Sequence, residues 1–229
     1  MTKTMESVQI LLAGSTYLYR LFQNIFGNQP NIEQMDILTG DTTKDAIEIF
    51  RTGDNLSYEK GVEHLSKFEQ SYYDDKKAVL EQLSDEYTSL FIGPKKLPAP
   101  PWESVYRSEE RLLFQESTLE IRRCYLKYGF IPAEHPRVAD DHLALELDFM
   151  ANLSSIAEKA FEEEDLSWFR ETLEAQKEFL TNHLLFWVPK FAEKIQESPT
   201  SSLYPSMAIL LKGFLEIHQE VIEEITETI

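Results

Sequence analysis

The chain has 229 residues, and its 40 acidic side chains against 22 basic ones leave a net charge of −18. That field repels phosphate backbones and anionic lipid alike, so nucleic-acid binding and stable membrane insertion are disfavoured. Its one cysteine, Cys124, cannot form an internal disulfide, and the length suffices to bury roughly 70–75% of the unfolded surface in an ordinary core.

The N-terminus, Met1 to Val8, has no apolar run leading to a small-residue cleavage site, and no later stretch reaches the ~18–20 apolar residues that span a bilayer. The expected location is the cytoplasm. Apolar residues then recur at helical spacing almost throughout. A first helix is predicted from about Glu6 to Phe26, ended by Gly27-Asn28-Gln29-Pro30. Two short helices follow, one capped by Asn31 and one by Asp41 or Thr42. A fourth carries Tyr58, Val62, Leu65, Phe68 and Tyr72, and a fifth Val79, Leu83, Tyr87 and Leu90.

The pattern breaks between Gly93 and Tyr106, where four prolines (Pro94, Pro98, Pro100, Pro101) fall within eight residues and favour an extended path. Ser117-Thr118-Leu119-Glu120 reads as a capping box for a helix that ends at Gly129. A second irregular stretch, Phe130 to Ala139, contains Pro132 and Pro136. Asp140 or Asp141 can cap the next helix, which runs to about Phe161, and Asp165 caps another. Pro189 and Pro205 each suit the first turn of a later helix. Strand alternation is missing, and 8 glycines leave little material for hairpins. The expected fold is all-α: a single helical bundle of about ten helices over residues 1–229, with a subdomain boundary, if one exists, near 130–140.

Motifs for enzymatic chemistry are missing: no phosphate loop, no dinucleotide fingerprint, no His-Glu-x-x-His, no cysteine pair. His142 and Glu146 share a helix face and can offer a metal two ligands, with no third in view. Asp141-His142 stands where a loop turns into a helix, either as a cap with a packed imidazole or as a pair facing a ligand. Trp102, on the stiff backbone after Pro100-Pro101, either anchors a bound peptide or, with Tyr106, plugs the loop onto the core. Cys124 reads as a small apolar filler.

Three blocks in order resemble one family: Glu86 to Pro94, Pro98-Ala99-Pro100-Pro101-Trp102-Glu103-Ser104-Val105-Tyr106, and Asp141-His142-Leu143-Ala144-Leu145-Glu146-Leu147. It is the TorD/DmsD family of redox-enzyme maturation chaperones, which includes NarJ-type proteins. Leu184 to Phe191 and Tyr204 fit it too, so the resemblance covers about residues 84–220. It implies an all-helical cytoplasmic chaperone, not an enzyme, needing no cofactor or metal, as a monomer or a helix-swapped dimer. Its partner would be the twin-arginine leader, and the apo body, of a molybdopterin oxidoreductase subunit, held back from export until its cofactor is inserted. The positions matching the family's peptide contacts are Pro100, Pro101, Trp102, Ser104, Tyr106, Asp141 and His142. Two positions depart from the family: Val138-Ala139 replaces a common Glu-Pro, and Glu103 stands where a small residue is usual. Nucleotide binding reported for the family leaves GTP open, with no phosphate-cradling loop here. Two alternatives stand beside this reading: a NarJ-like assembly factor for a client that is not exported, and a metal-dependent helical hydrolase centred on Asp141, His142 and Glu146.

Overall fold

The 3.6-residue periodicity is realised as eleven α-helical segments among the residues described by the structure, a computed structural model covering 3–94, 96–107, 116–132, 138–200 and 203–229. They are α1 (Lys3–Gly27), α2 (Ile32–Leu38), α3 (Asp41–Ile49), α4 (Leu56–Asp74), α5 (Lys76–Tyr87), α6 (Ser104–Arg107), α7 (Glu116–Lys127), α8 (Leu143–Glu162), α9 (Leu166–Phe179), α10 (Leu185–Gln196) and α11 (Leu203–Thr228). No strand occurs among the described residues. Two π-helical turns interrupt the rods, Thr88–Ile92 after α5 and Leu180–Leu184 between α9 and α10.

Helix α1 lies along α8, α9 packs on the same α8, and α4 pairs with α11, which also meets α10. Their apolar stripes join in one hydrophobic cluster that includes Phe22, Phe26, Tyr58, Phe149, Trp187 and Phe214. Where α4 and α11 cross, glycine is required on both sides. A Cβ on Gly213 would come within 2.5 Å of the Tyr58 backbone nitrogen, and one on Gly61 within 2.7 Å of the Leu210 Cα.

Several helix ends are as expected. Asn31 and Asp165 accept from the backbone N–H three residues on, and Gly129 adopts φ 63° just past α7, letting the Phe130 N–H reach the Tyr125 carbonyl at 2.9 Å. Others differ. Gly40, not Asp41 or Thr42, is the N-cap of α3 and offers no side-chain bond. Helix α7 is already under way at Glu116, so Ser117 sits inside it and its buried hydroxyl has no hydrogen-bond partner. Pro189 is not in a first turn but inside α10, which continues α9 through the π turn. Pro205 does fall in the first turn of α11. In the two irregular stretches, Lys95 and residues 133–137 (with Pro136) lie outside the described residues, as do 108–115. Among the described residues no helix is long and apolar enough to cross a membrane.

Candidate functional site

Pro101 has no N–H, so in an extended pairing only its carbonyl can take part. The structure uses that carbonyl: the Leu143 N–H donates to it at 2.9 Å, while the Glu103 N–H donates to the Asp141 carbonyl at 3.0 Å. The result is an isolated antiparallel bridge between Trp102 and His142. It joins the proline-rich segment to the start of α8 and sets the Trp102 ring edge-on to the imidazole, with centroids 5.4 Å apart. The two motifs that stand apart in sequence thus form one surface.

Asp141 does act as a cap, but for a different helix from the one expected. Its carboxylate, fully buried, accepts from the Ser104 N–H at 2.9 Å and so caps the short α6. Helix α8 is capped by His142, whose Nδ1 accepts from the Ala144 N–H at 3.1 Å. An accepting Nδ1 puts the ring hydrogen on Nε2. Burial lowers this imidazole to about 4, so it is neutral at physiological pH.

Beneath that pair lies a charged cluster. Glu103 is fully buried, receives the Arg107 Nε–H, and bonds His183 Nδ1 at 3.0 Å. Burial pulls His183 down, but its hydrogen bonds with Cys124 and Glu103, and the Glu103 charge, outweigh this and raise it to about 9. The His183 ring is therefore an imidazolium at neutral pH. Cys124, expected to be a small apolar filler, is half-buried against the hydrophobic core and lines, with His183, a small cavity of about 90 Å³. Glu146 is also fully buried, with Oε2 accepting from Trp187 Nε1 at 3.0 Å. Burial drives its carboxyl far above the usual range, with the nearby Glu103 charge adding to the effect. The Tyr106 ring lies 5.3 Å from that of Trp187, and the Arg107 guanidinium 4.3 Å over the Phe186 ring.

Of the seven positions singled out in the sequence, Pro101, Ser104 and Asp141 are buried, while Pro100, Trp102, Tyr106 and His142 reach the surface. The first three hold the bridge and α6 in place; the others offer contact area. The metal-site alternative loses its geometry: His142 spends Nδ1 on the backbone, and Glu146 turns to Trp187. Among the described residues no group of three or more histidine, cysteine or acidic side chains is placed to hold a metal. Sequence reasoning passed over Arg107 and His183. The i,i+4 spacing from Glu103 to Arg107 was a usable signal. Nothing local marks His183, which the π turn delivers to Glu103 from a distant element.

Every one of these residues lies inside residues 55–193, the span that matches the family described as nitrate reductase delta subunit. The chain belongs to that family. Likeness runs further than the matched span. The chaperone protein TorD of Vibrio cholerae is 26% identical over 223 residues, 97% of this chain and 98% of that one. The TorD of Vibrio parahaemolyticus is 27% identical over 213 residues, 93% and 96% of the two chains. Similarity thus takes in α1–α3, where the motifs themselves began only near residue 84. A solved structure from Archaeoglobus fulgidus, a candidate redox enzyme maturation protein, aligns at 24% identity over 88% of this chain and 93% of that one, with a TM-score of 0.47. As a member of the nitrate reductase delta subunit family with relatives named chaperones, the chain is a chaperone-type protein and not an enzyme.

Proposed function

We propose that this protein is a cytoplasmic, system-specific chaperone that binds the twin-arginine leader, and the apo body, of a molybdopterin oxidoreductase subunit and delays export until the cofactor is in place. The observation that carries this reading is the Trp102–His142 bridge, which unites the proline-rich segment and the Asp141-His142 pair in one half-open aromatic surface above buried acids. Such a surface suits a ligand with an apolar stretch and cationic side chains: aromatic area supplies affinity, and the net charge of −18 draws the ligand in. The chain acts by binding and release, without turnover.

Isothermal calorimetry with a synthetic peptide carrying two adjacent arginines and an apolar segment tests this. Micromolar binding is expected, and Trp102→Ala should weaken it by about 2 kcal/mol, the usual cost of truncating an interfacial aromatic anchor. The same substitution should barely move the melting temperature, because the ring is only half-buried. No binding at high micromolar peptide, or a large loss of stability with affinity intact, refutes the assignment.

The family description favours a second reading, an assembly factor for a nitrate-reductase-like client that keeps no leader. Capture of the apo client with and without its leader separates the two: equal capture supports the assembly factor.

A further inference from the structure

A carboxylate taken out of water costs several kcal/mol unless it is paired, and Glu103 is fully buried. It has two cationic partners where one would neutralise it, Arg107 and His183. His183 is the buried partner, with 7% of its side chain exposed against 26% for Arg107. Arg107 is therefore the partner within reach of a competitor.

Its contacts are those by which a protein recognises an arginine belonging to another chain. The Nε–H goes to the Glu103 carboxylate, an Nη2 hydrogen goes to the Asn182 carbonyl, and the guanidinium face lies 4.3 Å over the Phe186 ring. Glu146 Oε1 and Asp141 Oδ1, both on fully buried side chains, have no hydrogen-bond partner. The buried acid group thus has acceptor capacity that Arg107 does not use.

We propose that the pocket formed by Glu103, the Asn182 carbonyl and Phe186 is an arginine subsite, occupied in the free chain by Arg107 and taken over by an arginine of the bound peptide. This rests on the leader-binding reading above and assigns one arginine of that leader a place. Exchanging one guanidinium for another leaves the count of buried charges unchanged, so the swap avoids the cost of stripping a carboxylate of its partner. Arg107 then acts as a built-in competitor that lowers apparent affinity by the fraction of time it fills the pocket. Glu103, the carboxylate that receives the Arg107 guanidinium, thereby becomes a determinant of client choice.

The test is calorimetric titration of wild type and Arg107→Ala with the two-arginine peptide and with a copy in which both arginines are citrulline. Because His183 stays charged and paired to Glu103 at pH 7, Arg107→Ala should fold, as a melting curve will show. With the competitor gone, the variant should bind the arginine peptide about tenfold more tightly than wild type and gain nothing for the citrulline copy. Adding Glu103→Gln should abolish the gain. Unchanged or weaker binding by Arg107→Ala, with wild type binding well, overturns the subsite and leaves the leader reading standing. An equal gain for both peptides also overturns it, since the pocket would not be reading the guanidinium. Failure of both proteins to bind the arginine peptide overturns the leader reading and this inference with it.

Discussion

Two histidines at the site stand in opposite charge states at neutral pH, and their surroundings explain the difference. His142 meets the Trp102 ring and a backbone N–H, so burial alone acts on it and it stays neutral. His183 is buried too, but it faces the Glu103 carboxylate and the Cys124 thiol, and it stays charged. The second case makes a testable statement about pH. An unfolded histidine titrates near about 6.5 and the folded one near about 9, so the folded state holds the proton more tightly. The stability this contributes is fully present below pH ~6.5 and is lost as pH rises through about 9. Urea unfolding of wild type and His183→Gln between pH 6 and 9.5 should therefore show a wild-type advantage that shrinks by on the order of 3 kcal/mol across that window. A difference independent of pH would mean that His183 is not charged in the fold. None of this was visible in the sequence, because Glu103 and His183 meet only through tertiary packing.

At the scale of whole elements, the crossing of α4 and α11 is set by backbone contact and not by side-chain ridges. Tyr58 and Leu210 lie so close to the opposite glycines that a methyl group has no room, since the atoms it would strike belong to or adjoin the main chain. Gly213→Ala should destabilise by about 3 kcal/mol, near the upper end of ordinary overpacking, because neither helix can yield without lifting its apolar stripe from the core. A shifted urea midpoint at constant slope would register it; a loss under about 0.5 kcal/mol, typical of a surface site, would show that the helices can separate freely. The helices themselves were legible, since α4 and α11 carry unbroken 3.6-residue patterns. Their glycines read only as weak points in a helix until the partner backbone is seen.

For the molecule as a whole, the surplus of 18 negative charges is a long-range property that no single contact carries. It should accelerate capture of a cationic peptide and hardly affect its release, because exposed charges act through solvent and are screened within about 10 Å at 0.1 M salt. Stopped-flow association of the two-arginine peptide should slow by about tenfold or more between low salt and 0.5 M, with dissociation changing far less. A rate insensitive to salt would reduce the acidity to a matter of solubility.

The sequence by itself determined the all-α class, the chain order of the helices, and those caps that act locally, such as Asn31 and Asp165, because each depends on residues within a few positions of one another. It also contained the ordered blocks that mark the family. Tertiary structure alone decided that Asp141 caps α6 while His142 caps α8, that Pro101 lends its carbonyl to a bridge, and that Glu103 is neutralised by a histidine from a π turn. The reason is physical. A carboxylate or an imidazole takes whichever buried donor or charge the packing brings within about 3 Å, and sequence spacing constrains that choice only when the partner lies in the same turn.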